Sequence, residues 1–327
     1  MQKIIGIDIG GTKCTVSLGE IDNEGNPSVI GKKIVQTKDY PDPYQMIGRM
    51  QDEIINILEF HQTDIKTVSS IGISCGGPLD SVLGMILSPP NLPGWDKIPI
   101  VDLFQKKFNI RTSIQNDANA CALAEWKFGA GKGFRNIVFL TFGTGLGAGL
   151  ILNGRLYAGT NDMAGEVGHI RLENIGPVGY GKAGSFEGFC SGGGLAQLAQ
   201  LKVREKLQMG QPVSFCKNMQ DIELLTAQVV ADAARKEDPL AKEIYNLCGT
   251  YFGKGLSILI DILNPELIII GSIFVRSGDL LLSAIESKIQ EESLILSSKV
   301  CSIVPAGLGE SIGDYAALSV AIYNDKF

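Results

Sequence analysis

The sequence predicts a mixed α/β protein organised as two lobes. Three observations carry that prediction. The chain is 327 residues long, which at about 150 residues per domain makes two domains. A strand, glycine turn, strand pattern occurs twice, and helical apolar spacing lies between the strands.

Taken in order, residues 3–9 read as a buried strand and 13–18 as a second one across the Gly10-Gly11 turn, so the chain opens on a β-hairpin. Over 43–61, Ile47, Met50, Ile54, Ile57 and Leu58 recur at helical spacing and form one apolar stripe. His61, at the end of that stripe, reads as a solvated helix-end residue. A short strand over 68–74 runs into Cys75-Gly76-Gly77-Pro78, and a proline-rich loop covers 88–99. A strand at 112–115 feeds Asn116-Asp117-Ala118-Asn119, with a helix over 120–128. Strands at 137–142 and 146–152 flank Gly143-Thr144-Gly145 and repeat the opening hairpin. The stretch 158–194 is glycine-rich and irregular, and an irregular loop of that length is usually functional. Helices are predicted over 195–207, 221–234 and 239–262, an apolar strand over 267–270 stops at Gly271, and a helix over 315–323 closes the chain. No period of 20 to 50 residues recurs, which excludes a solenoid.

A composition of 45% hydrophobic and 20% charged residues supports a sizeable core. The 29 Lys and Arg against 35 Asp and Glu give −6, with no basic run, so a nucleic-acid partner is disfavoured. The seven cysteines are scattered singly without a CxxC pair, which points to a reducing compartment and thiols packed as small core residues. The chain shows neither signal-peptide character at its start nor an apolar run of about 18 residues, and a cytoplasmic protein without membrane association is expected.

The motifs carry the chemistry. Asp8-Ile9-Gly10-Gly11-Thr12-Lys13 puts a carboxylate and two glycines at a strand-to-strand turn. Its free N–H groups and the Thr12 hydroxyl can hold phosphate oxygens; the alternative is an ordinary hairpin turn. Thr141-Phe142-Gly143-Thr144-Gly145 repeats the device. It formally contains G-x-G-x-x-A (Gly143, Gly145, Ala148), yet 149–152 continues as strand, so a dinucleotide site fails on context. Gly131-Lys132 is followed by Gly133, so no P-loop exists. Two such hairpins suggest a nucleotide clamped between two lobes. Asn116-Asp117 reads either as a helix cap or as a general base with a neighbouring hydroxyl-binding amide. Glu166-Val167-Gly168-His169 and, further on, Glu187 place two carboxylates and an imidazole in the irregular loop, a set suited to sugar hydroxyls.

In this order and spacing, Asp8 to Thr12, Gly76-Gly77-Pro78, Gln115 to Ala120, Ala124-Glu125-Trp126-Lys127-Phe128-Gly129, Thr141 to Gly145, Gly165 to His169 and residues 309–317 resemble the ROK family (repressor, open reading frame, kinase). The resemblance runs along essentially the whole chain. It implies the actin-like, hexokinase-type ATPase fold, two α/β lobes around a central cleft, with 1–117 plus 310–327 as the smaller lobe and 118–309 as the larger. It implies that Asp8, Gly10, Gly11, Thr12, Lys13, Thr141, Gly143, Thr144 and Gly145 hold the ATP phosphates, that Asp8 helps place Mg²⁺ indirectly, and that Gly271 and Ser272 lie by the adenosine. Asn116, Asp117, Glu166, His169 and Glu187, with Gly77 and Asn91, would bind the sugar, and Asp117 would be the catalytic base. Many family members also bind zinc through the histidine of E-x-G-H and three cysteines. Here Val178, Tyr180 and Ser185 occupy the cysteine positions, so a zinc-free variant is expected, with Cys190 a packed small residue.

The implied activity is ATP-dependent phosphorylation of a hexose, glucose first, at the 6-hydroxyl. Fructose, mannose, allose, N-acetylmannosamine and N-acetylglucosamine are the alternatives. A sugar-responsive transcriptional regulator of the same family is disfavoured, because no helix-turn-helix segment precedes the Asp8 motif. A homo-oligomer, dimer or tetramer, is expected.

Overall fold

A computed structural model of the chain describes residues 2–323. Its elements run β1 (Gln2–Ile9), β2 (Lys13–Ile21), β3 (Pro27–Gln36), α1 (Pro43–Phe60), β4 (Val68–Cys75), the short pair β5 (Leu79–Asp80) and β6 (Met85–Ile86), α2 (Ile100–Phe108), β7 (Thr112–Asn116) and α3 (Asp117–Phe128). There follow β8 (Ile137–Phe142), β9 (Leu146–Leu152), β10 (Arg155–Leu156), β11 (Val178–Gly179), β12 (Lys182–Ala183), α4 (Phe186–Phe189), α5 (Gly192–Gln208), α6 (Ala227–Arg235) and α7 (Pro239–Leu263). The chain finishes with β13 (Leu267–Ile270), α8 (Ile273–Ser277), α9 (Leu282–Glu292), α10 (Ile295–Ser298), β14 (Ser302–Pro305) and α11 (Ile312–Ile322). Among the described residues no helix is long and apolar enough to cross a membrane.

By packing, the chain divides into two compact units: residues up to Arg135 with Gly149–Ala164 and the chain from Gly307 on, and Asn136–Ala148 with Gly165–Ala306. The first unit holds a five-stranded sheet in the order β3-β2-β1-β4-β7. β1 and β2 form the expected antiparallel hairpin, Ile9 facing Cys14, and β1, β4 and β7 run parallel. The apolar stripe of α1, including Met46, Met50 and Ile54, joins Ile5, Ile7, Val16 and Ile73 in one buried core. α11 lies against β1, β4 and α3. α3, which follows the expected lobe boundary at residue 117, packs on β7, β4 and α11 inside this unit. The second sheet runs β10-β9-β8-β13-β14, with β8, β13 and β14 parallel. In the second unit α7 is the central helix, packed against α5, α6 and α9.

Several elements differ from the sequence reading. The helix predicted over 221–234 is broken: Met219–Leu224 forms 3₁₀ turns, Leu225 and Thr226 are extended, and the Thr226 hydroxyl caps α6 by accepting from Val229 N at 3.3 Å. α3 starts at Asp117 rather than Ala120. β3 and α2 were not anticipated; β3 is an edge strand whose exposed residues include Lys32 and Lys33, so it lacks a clean alternation. Five of the seven cysteines are buried, while Cys121 and Cys301 are partly accessible.

Candidate active site

In the first unit the turn between β1 and β2 is closed by Gly10 N donating to Lys13 O at 3.2 Å. Thr37, just beyond β3, braces it: its N–H donates to Thr12 O at 3.0 Å and its hydroxyl to Gly10 O at 2.7 Å. Gly11, Thr12 and Lys13 remain exposed. A Cβ on Gly11 would lie 2.4 Å from Asn91 O, so only glycine lets Asn91 come this close. Asn91 also faces Gly76, and Gly77 faces Asn116, whose Nδ2 would be 3.2 Å from a Cβ there. Asp8, Gly11, Gly77, Asn91, Asn116 and Asp117 are thus gathered by the ends of β1, β4 and β7, which stop side by side: Asp8 is level with Ser74, and Ser74 with Gln115.

Asn116 is the N-cap of α3, its Oδ1 accepting from Ala118 N at 2.9 Å, and Asp117 Oδ1 shares the same donor at 2.8 Å. The cap reading and the chemical reading therefore coexist on adjacent residues. Asp117 is reached by solvent, yet crowding by protein pushes its carboxyl above the usual range, against the lowering effect of its backbone hydrogen bonds. The Asp8 carboxyl is pushed up from 3.8 to about 6, first by burial, then by the Asp117 charge; Asp314 adds to the push, and Ser74 and Lys13 oppose it. A hard carboxylate oxygen donor made costly to ionise by burial and by the nearby Asp117 charge fits Mg²⁺, because the cation takes oxygen ligands and relieves the repulsion.

In the second unit, Thr141 closes its hairpin: the hydroxyl accepts from Gly147 N at 2.9 Å and lies 3.3 Å from Gly147 O. That hydroxyl is engaged across the strands, whereas Thr144 is exposed. Gly143 N donates to Gly145 O at 3.1 Å, and Ser272, in a left-handed conformation at φ 54°, stands beside Gly143 at the end of β13. Gly271 is tied to β8 through Leu140 O at 2.9 Å. The structure thus brings Gly143, Gly271 and Ser272 together just past the ends of the neighbouring strands β8 and β13.

The loop bearing Glu166 and His169 is docked on β9. Gly165 takes φ +89° and a Cβ there would stand 2.0 Å from Ala148 O, so both backbone sign and close approach demand glycine. A 3₁₀ turn over Val167–His169 follows, leaving the Glu166 and His169 side chains exposed. Glu187, in the first turn of α4, accepts from Leu146 N at 2.9 Å through Oε2, just past the Gly143–Gly145 turn. A sugar-assigned carboxylate and a phosphate-assigned turn therefore meet directly.

Sequence reasoning missed Lys182, whose ammonium donates to His169 O at 2.6 Å, and Gln197 on α5, which bonds the backbone of Val178. It gave Glu125 no role beyond its motif. No pattern flags a half-buried lysine or a helical glutamine; their partners lie 13 and 19 positions away in sequence.

A model of the ROK family matches residues 4–323. The chain belongs to the ROK family. Among ROK relatives, the glucokinase of Halalkalibacterium halodurans is 30% identical over 311 residues, 94% of this chain and 92% of that one. A solved ROK family glucokinase from Streptomyces griseus, in complex with glucose and AMPPNP, superposes with a TM-score of 0.73 at 28% identity, covering 98% of this chain and 99% of that one. A solved ROK family transcriptional regulator, described as a homolog of the E. coli MLC protein, gives a TM-score of 0.82 at 25% identity, over 98% of this chain and 77% of that one. The fold is the actin-like ATPase fold of ROK hexokinases.

Proposed function

We propose that this ROK protein is an ATP-dependent hexose kinase, with glucose the favoured sugar, that transfers phosphate to the 6-hydroxyl with Asp117 as general base. The observation that carries the reading is Asp117 itself: a solvent-reached carboxylate, raised by its protein surroundings, at the first residue of α3 and beside Asn116. The glucokinase relatives and the solved glucokinase bound to glucose and AMPPNP support the same reading.

Phosphoryl transfer asks little covalent chemistry of a protein; it asks for an aligned hydroxyl, neutralised phosphate charge and excluded water. Asp117 accepts the proton of the 6-hydroxyl as that oxygen attacks the terminal phosphoryl group of ATP, whose bond to the bridging oxygen breaks so that ADP leaves. A raised pKa moves the carboxylate toward the operating pH, where a base is most effective. Asn91, Asn116, Glu166, His169 and Glu187 bind and orient sugar hydroxyls, with Gly77 lining their approach. The turns at Gly10 to Lys13 and at Gly143 to Gly145 offer backbone N–H groups and the Thr12 and Thr144 hydroxyls to the phosphates; Thr141 serves by holding its hairpin shut. Gly271 and Ser272 take the adenosine. Mg²⁺, placed with the help of Asp8, supplies charge neutralisation on the phosphates.

An ADP-release assay over glucose, mannose, fructose, allose and the N-acetylhexosamines, with and without Mg²⁺, tests the proposal. Glucose gives the highest kcat/KM and activity requires Mg²⁺. Asp117→Asn folds as the parent does, by calorimetry, and loses at least about 100-fold in kcat. Near-normal turnover by Asp117→Asn removes the base from this residue. Preference for an N-acetylhexosamine replaces glucose and leaves the mechanism standing. Sugar binding by calorimetry without any turnover favours a sugar-responsive regulator instead, the class of the structural relative with the 0.82 TM-score.

A further inference from the structure

The loop that carries the sugar-assigned His169 and Glu187 has a holding device of its own. Its register with zinc-binding ROK proteins puts Val178, Tyr180 and Ser185 at three ligand positions, and their chemistry does not fit a metal. Val178 offers no donor atom. The Ser185 hydroxyl is fully buried and committed, accepting from Gly188 N at 3.0 Å and lying 3.4 Å from Gly179 O. Tyr180 is 75% exposed. Among the described residues no group of three or more His, Cys, Asp or Glu could hold a metal ion.

We propose that Gln197 is a positioning residue for sugar binding, its side-chain amide clamping the β11–β12 hairpin so that the hairpin in turn fixes His169 and Glu187. Gln197 Oε1 accepts from Val178 N at 2.8 Å while its Nε2 donates to Val178 O at 2.9 Å. One amide group thus satisfies both backbone groups of one residue, as a neighbouring strand would. The platform is firm, because α5 begins with a Ser191 cap and packs along α7. From Val178 the consequence passes to both sugar-binding side chains. Across the hairpin, where Gly179 faces Lys182, the Lys182 ammonium holds His169 O at 2.6 Å. The Tyr180 ring meets the His169 ring edge-on with centroids 6.4 Å apart. On the other side Gly179 lies so close to α4 that a Cβ on it would stand 2.8 Å from Glu187 Cβ and 2.6 Å from Gly188 N. Moving the hairpin therefore moves the backbone under Glu187.

This inference rests on the sugar-binding reading of His169 and Glu187, and its test separates the two. Backbone amide exchange over residues 176–186 is measured for the parent, Gln197→Ala and Gln197→Glu, alongside KM and kcat for glucose and ATP. Alanine suits a helix, so Gln197→Ala folds. The expected result is faster exchange confined to that loop, a glucose KM raised about tenfold, kcat within about twofold and an unchanged ATP KM. Gln197→Glu, which keeps the acceptor for Val178 N and loses the donor to Val178 O, falls between. Dialysis against EDTA followed by restored Mg²⁺ leaves the parent's glucose KM where it was. The proposal is overturned if Gln197→Ala leaves loop exchange and glucose KM at parental values, or if exchange rises throughout the second unit and both KM values rise with it. Stoichiometric zinc whose removal raises the glucose KM overturns it as well. If the parent phosphorylates none of the sugars, the kinase reading fails, and the exchange arm still decides whether Gln197 holds the loop.

Discussion

At the scale of single residues, Asp8 is a carboxyl that its surroundings make costly to ionise. A carboxyl whose pKa stands near 6 when folded, against 3.8 ordinarily, holds its proton more tightly in the folded state than in the unfolded chain. Its contribution to stability is complete below about pH 4 and is lost as pH rises through 6. Ionised Asp8 therefore works against the ligand-free fold at neutral pH. Asp8→Asn removes the charge and keeps the shape. In EDTA, calorimetry at pH 7.5 is expected to give a Tm several degrees above the parent, a gap that narrows as pH falls through 6 and closes only below about pH 4, while kinase activity falls. A lower Tm at pH 7.5 would mean that Asp8 is paired rather than strained. With Asp117 as the proposed base, its raised carboxyl is expected to displace the acidic limb of kcat/KM upward from the ordinary carboxylate range, which a pH profile of kcat/KM checks. Both residues were legible in the sequence as motif carboxylates, but the influence of the Asp117 charge on Asp8 was not. It arises because β1, β4 and β7 end together, which sets Asp8 level with Gln115, two positions before Asp117.

At the scale of elements, α3 is held by a carboxylate that no motif explains. Glu125 is fully buried, and it accepts from Ala130 N at 2.8 Å, Gly307 N at 3.0 Å and Leu308 N at 2.9 Å. It pins the end of the helix that begins with Asp117 to the loop after it and to the segment leading into α11. Glu125→Gln turns one acceptor into a donor facing those N–H groups, and such a loss at a charged, buried acceptor costs about 2–4 kcal/mol. Chemical denaturation should show the reduced midpoint, while kcat at low temperature stays within a few-fold of the parent because Glu125 lies toward the far end of α3 from the proposed base Asp117. An unchanged midpoint would make these three contacts incidental. The sequence displayed Glu125 among its motif residues but hid its purpose, since two of its partners lie 182 and 183 positions away. The break at Leu225 and Thr226 was equally hidden: apolar spacing continued through it, and only the cap on Val229 N shows why α6 starts where it does.

At the scale of the whole molecule, the first unit is completed by the far end of the chain. α11 lies on β1 and β4 because those strands present glycine toward it: a Cβ on Gly72 would stand 2.2 Å from Ala317 O and from Ala321 N, and one on Gly6 3.1 Å from Ala317 Cβ. Pattern reading found the closing helix but had no means of docking it, since a surface of small residues leaves no hydrophobic period; the placement of 310–327 with the N-terminal lobe came from family resemblance. Backbone within reach of a missing methyl cannot yield as a flexible side chain can, so Gly72→Ala must displace α11 and costs about 1–3 kcal/mol. Two compact units of this size melt as separate steps when their folding is not fully coupled. Calorimetry of Gly72→Ala is therefore expected to lower the transition belonging to the first unit and leave that of the second in place, with amide exchange rising in β1, β4 and α11 and not in α7. If both transitions fall together, the units do not fold independently, and the damage at Gly72 is being shared across the entire chain.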